Sequence, residues 1–165
     1  MAYQLSEPRV GVQPLTVVET VQKHALGAVV RGEDPVYGGG EFIYLKGVAS
    51  TVVGSLVDYD RSANTTTLSP ATAGTGQVAV AMSVNDATTK FGWYQIAGVA
   101  AVKSPNATAV DAEVWMLAAT PGSVDDAVVA GEQILNAQFL STTGVPSTGL
   151  ALVQIQYPFH QGGIT

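Results

Sequence analysis

A chain of 165 residues fits a single domain, and at that length it can bury a core without covalent staples; with no cysteine, disulfides, thiolate zinc sites and cysteine chemistry are excluded. Charged residues make up only 12% of the chain, about half the usual share, and 13 acids against 7 bases leave a net charge of −6. The bases are scattered from Arg9 to Lys103 rather than clustered, so direct nucleic-acid binding is not expected, while a 47% hydrophobic share with so few charges points to apolar surface covered by other protein.

Met1 to about Gln22 reads as an extended N-terminal arm, and residues 23–165 as one β domain. In the arm, Pro8 and Pro14 remove backbone donors, while Val10, Val12, Val17 and Val21 supply intermittent apolar side chains. A flexible terminus and an arm ordered against a neighbouring subunit both fit, and the apolar spacing favours the second. The first nine residues lack the basic start and apolar run of a signal peptide. No window nears the ~18 apolar residues that a membrane-spanning helix needs.

From Ala25 onward, strand-like runs alternate with turn chemistry. The expected strands are Leu26–Arg31, Glu41–Val48, Ser55–Tyr59, Thr65–Leu68, Gln77–Ser83, Gly92–Lys103, Ala112–Ala118, Gln133–Leu140 and Gly149–Tyr157. Punctuators such as Asp34-Pro35, Ser104-Pro105-Asn106 and Thr120-Pro121-Gly122 separate them. Gly38-Gly39-Gly40 reads as a flexible entry into the second strand. There Phe42, Tyr44 and Lys46 face one way and Glu41, Ile43 and Leu45 the other, so both faces require cover. Asp125–Gly131 is the one expected helical turn. The whole predicts an all-β fold, a β-sandwich or jelly-roll-like β-barrel with an N-terminal arm.

Echoes within the chain suggest two similar halves. Tyr44–Ala49 is echoed by Gln95–Ala100, Leu56-Val57 by Val114-Trp115, Met82-Ser83 by Leu140-Ser141, and Gln95-Ile96 by Gln154-Ile155. Ala/Val/Gly-rich sequence also produces such echoes by accident.

Candidate chemistry is sparse. His24 and His160 stand at opposite ends without ligand-spaced companions, His24 leading into a strand and His160 in a tail after Pro158, so no metal is expected. Asp58 and Asp60 share a strand face but read as hairpin-end turn residues, and Asp125-Asp126 as a helix cap. Phe91-Gly92-Trp93-Tyr94 could be a stacking platform for sugars or bases; without basic neighbours it reads better as core and interface packing. No nucleophile elbow and no phosphate loop is present, so neither enzymatic activity nor a cofactor is expected.

Three segments, Tyr37–Thr51, Phe91–Ala100 and Gly122–Leu135, together with the closing apolar run Leu150–Ile155, resemble tailed-phage capsid decoration (cement) proteins. The resemblance spans most of the chain from Leu26 to Tyr157. It implies a structural virion protein on the outer capsid surface, made in the bacterial cytoplasm, that clamps neighbouring major capsid subunits and stabilises the expanded head. The implied partners are the major capsid protein and the chain itself, most often as a trimer, without nucleic acid or membrane. Expected contact residues are Tyr3, Leu5, Val10 and Val12 in the arm, and Tyr157 and Phe159 near the other end. The competing reading is a head-fibre or tail accessory β module that binds a host-surface glycan or receptor through Phe91–Tyr94; a tail-tube subunit is a further rival.

Overall fold

The computed structural model describes residues 4–5, 14–72 and 74–162. The chain is all-β, and among the described residues there is no helix. Its strands are β1 (Gln4–Leu5), β2 (Val29–Asp34), β3 (Gly38–Lys46), β4 (Leu56–Asp60), β5 (Thr65–Leu68), β6 (Gln77–Ala81), β7 (Phe91–Lys103), β8 (Glu113–Met116), β9 (Val124–Asp125), β10 (Gln133–Phe139) and β11 (Leu150–His160). Every ladder between them is antiparallel. Each run expected to be a strand overlaps one, with ends shifted by up to three residues, while β1 and β9 fall outside the expected strands.

Three expectations are corrected. Gly38–Gly40 is not a flexible entry but part of β3, paired with Asp34, Glu33 and Gly32 of β2. The hairpin turn lies just before it, where the Asp34 carboxylate accepts from the backbone N–H groups of Val36 and Tyr37 at 2.8 and 3.0 Å. Asp125–Gly131 forms no helical turn: Val124–Asp125 is a short strand on β8, and turns follow it. The segment after Pro158 is not a tail, because β11 continues to His160, opposite Ile134.

The two faces of β3 go to two different cores, as its alternation predicts. Ile43 and Leu45 pack with Val57, Tyr59, Ala79, Ala81, Tyr94 and Ile96. Phe42 and Tyr44 pack with Trp93, Val30 and Leu15. That second face is covered from within the chain, by the segment running from Pro14 into β2. Leu15 is buried there, and Glu19 and Phe91 exchange both backbone hydrogen bonds at 2.9 and 2.8 Å. The described part of the expected arm therefore lies on the domain's own sheet from Pro14 onward.

A third core joins Leu56, Val78 and Val80 to Ala100, Val102, Val114, Met116, Ile134, Phe139, Val153 and Ile155. Strands β4 and β6 thus lie between two cores, which is why their sequences, Leu-Val and Val-Ala-Val-Ala, are apolar at consecutive positions. Burial of each Leu or Val among them contributes roughly 1.5–3 kcal/mol if fully removed from water.

The pairing pattern repeats. In the first half β3 pairs with β7, β7 with β6, β6 with β4, and β4 with β5. In the second, β7 pairs with β11, β11 with β10, β10 with β8, and β8 with β9. Three of the four echoes begin on corresponding strands, β3 with β7, β4 with β8 and β7 with β11, while Met82-Ser83 and Leu140-Ser141 lie just past the ends of β6 and β10; β7 belongs to both halves.

Candidate functional site

Of the expected contact residues, Tyr3, Val10 and Val12 lie outside the described residues. Leu5 lies in β1, opposite Gly32 on the edge of β2. Tyr157 and Phe159 are 37% and 38% exposed on β11, unusually open for aromatic side chains.

The exposure of Tyr157 follows from a break in the ladder. Ala137 pairs with Ile155, but Leu135 pairs with Phe159, so β11 carries extra residues opposite Asn136. Both strands pass through the left-handed region here, Asn136 at φ 60° and Tyr157 at φ 49°. Just before the bulge Gln156 is the last β11 residue to pair with β7; just after it, Phe159 pairs with Gln77 of β6. The bulge therefore turns the strand from one neighbour to another and leaves Tyr157 outside. Its hydroxyl donates to Glu41, which also receives the Arg31 Nε–H at 2.9 Å. The hydrogen bond to Glu41, then partial burial, raises the Tyr157 pKa above its ordinary value.

Beyond the bulge, β11 delivers His160 into the interior. Its Nε2 lies 2.8 Å from Asp58 Oδ1, and the Ser69 hydroxyl donates to that same oxygen. Ser69 Oγ stands 3.4 Å from His160 Nε2. Serine, histidine and aspartate thus meet, but not as a nucleophilic triad, in which the imidazole bridges the other two through opposite nitrogens. Here both contacts crowd one nitrogen, Nδ1 faces Gly74, and Ser69 is fully buried. The arrangement secures the end of β11 to β4; it presents no nucleophile to a substrate. Composition and spacing could not reveal it, since Asp58 reads as a turn residue and His160 as part of a tail.

Asp60, by contrast, does the turn work expected of it, accepting from Ser62 N–H at 2.7 Å. Asp125 is buried beside Asn106, whose Nδ2 donates to it at 2.7 Å, and it also accepts from the Asp126 backbone. Burial alone would raise its pKa; the hydrogen bonds outweigh it and hold the carboxyl below the usual range. Asp126 accepts from Ala109 N–H at 2.8 Å. These carboxylates tie the loop after β7 to β9.

His24 packs edge-on against Tyr44, ring centres 5.1 Å apart, and lies 5.4 Å from Trp93. Trp93 and Tyr94 are themselves buried, so Phe91–Tyr94 offers no stacking platform. Among the described residues no group of three or more His, Cys, Asp or Glu is placed to hold a metal ion. The chain matches no protein-family model, no curated protein and no solved structure.

Proposed function

We propose that this protein is a structural component of a tailed-phage virion that decorates the outer surface of the icosahedral head and clamps neighbouring major capsid subunits. The observation that carries the reading is the placement of the segments resembling decoration proteins. Tyr37–Thr51 and Phe91–Ala100 contain β3 and the first part of β7, which are paired neighbours and form the double-faced centre of the fold. Such a rigid, charge-poor body suits a mechanical role with no turnover.

Contact surfaces on this reading are β1 with the residues around it, and the exposed Tyr157 and Phe159. A strand at a sheet edge can pair with a neighbouring chain through backbone hydrogen bonds alone. The protein assembles as a trimer, each protomer burying part of the ~1,600 Å² that a stable interface requires. Three linked copies grip the shell by multivalency, since docking of one raises the effective concentration of the others.

The test is co-sedimentation of the purified protein with expanded, undecorated heads of its parent phage, followed by electron cryo-microscopy. Density at regular outer-surface sites is expected. Heads that pellet alone at micromolar protein would refute the proposal.

A further inference from the structure

The bulge region borders a second feature, separate from the chain ends. Arg31 pairs with Glu41, Glu41 with Ala97, Ala97 with Gln156, and, two residues back along β11, Gln154 with Gln138. These partners form a row across β2, β3, β7, β11 and β10 that steps by two residues at β11. Two clefts of about 340 and 410 Å³ lie along it, one over β2–β3–β7 and one over β10, and both are lined by Gln154 and Gln156. Together they make one shallow groove crossing five strands, roughly 19 Å from first to last at ~4.8 Å per step.

The floor is backbone. Gly98 sits at φ +98°, and a Cβ there would fall on the carbonyl oxygen of Gly39 and 2.9 Å from Gly40 Cα. The walls are polar: Arg31, Glu33 and Glu41 at one end, Gln154 and Gln156 in the middle, Asn136 and Gln138 at the other.

We infer that this groove binds a neutral glycan chain. Four considerations select that occupant. Each amide offers two N–H donors and a carbonyl acceptor, matching hydroxyl groups that both give and take. Among the described residues that line it, the one cation, Arg31, is paired to Glu41 and outnumbered by Glu41 and Glu33, which disfavours polyanions such as nucleic acid. The groove runs across strands whose backbone is already paired, so an extended peptide cannot add as a strand. Among the described residues the exposed large apolar side chains lie elsewhere apart from Tyr157 at the rim, so these residues do not supply the apolar centre of a stable protein interface. The inference does not rest on the head-decoration reading.

The experiment uses the full chain on an array of neutral and acidic oligosaccharides, and in native gels cast with dextran, mannan or galactan, with alginate as the acidic control. Saturable binding to at least one neutral glycan is expected. The exposed pair Gln154→Ala/Gln156→Ala should weaken it about tenfold, the loss of one or two hydrogen bonds, with an unchanged melting temperature. No binding to any neutral glycan overturns the inference, as does binding confined to alginate and abolished by salt, or undiminished binding by the double variant. If the double variant loses head binding while no glycan binds, the face is a protein contact; the glycan assignment then falls and the decoration reading stands.

Discussion

His160 and Asp58 stand 102 positions apart in the chain, and their side chains meet at 2.8 Å in the interior. The contact closes the far end of β11 onto β4, with the Ser69 hydroxyl on the same carboxylate oxygen. It gives the fold a long-range polar lock between its last long strand and β4.

Breaking that lock by His160→Ala or Asp58→Ala leaves the remaining partner with Ser69 alone and is expected to cost about 1–3 kcal/mol in urea unfolding. The two losses should not add; a double variant as destabilised as the sum of the singles would show that the pair is not coupled. Gly74→Ala drives a methyl into the imidazole ring and should also destabilise, less so in the His160→Ala background.

Glycine is required at Gly98 and dispensable at Gly39. The first has φ +98° and no room for a Cβ, whereas a Cβ at Gly39 meets nothing within 4 Å. Gly98→Ala is expected to cost at least about 2 kcal/mol and Gly39→Ala less than about 1. Equal effects in thermal melts would contradict the close approach of β3 to β7.

Burial first, and the neighbouring Glu19 carboxylate second, push the Tyr44 hydroxyl up to about 12 from its ordinary 10.0, against an opposing backbone hydrogen bond from Lys23. The folded state holds the proton more tightly than the unfolded state. Its stabilisation is therefore complete below pH 10 and declines as pH rises toward 12. Melts at pH 8, 10 and 11.5 should show this fall in the natural protein and a shallower one in Tyr44→Phe; parallel curves would argue against it.

Asp125 works in the opposite direction. Its carboxyl is held below 3.8 by Asn106 and backbone donors in spite of burial, so its contribution is present above the ordinary carboxylate range and is lost as pH falls through the lowered value. Asn106→Ala should move the acid-unfolding midpoint to higher pH, followed by circular dichroism. An unmoved midpoint would remove Asn106 as the cause.

Deleting residues Met1–Pro14 is expected to weaken head binding at least about tenfold while leaving the β domain folded, since Leu15 and Glu19 remain to cover Phe42 and Tyr44. Sedimentation with expanded heads measures the first and thermal unfolding the second. Full binding by the shortened chain would exclude the arm as a contact.

The alternation in β3 was legible because period-two patterning reports the two faces of a strand directly: Phe42 and Tyr44 against Ile43 and Leu45. The repeated pairing was foreshadowed by Leu56-Val57 and Val114-Trp115, which lie on the corresponding strands β4 and β8. Gly38–Gly40 misled because glycine serves turns and close approaches alike, and only Gly98, on another strand, decides between them. Asp125 misled for a related reason, since aspartate caps helices and turns with the same carboxylate geometry. Pro158 suggested a strand end, yet it sits beside the Tyr157 bulge, where a missing donor is tolerated. The His160–Asp58 contact had no local signal, because nothing near either residue encodes a partner 102 positions away.

Because β7 serves both halves of the duplicated pairing, neither half owns a complete set of strands. Heat or mechanical load that peels β3 from β7 disturbs Trp93 and Tyr94, and the same continuous strand carries Ala100 and Val102 in the other core. The two halves are therefore expected to melt in one step, and a chain cut between them would leave the second without its first strand. Shared this way, β7 acts like a hinge pin common to two leaves: it cannot be drawn from one without releasing the other.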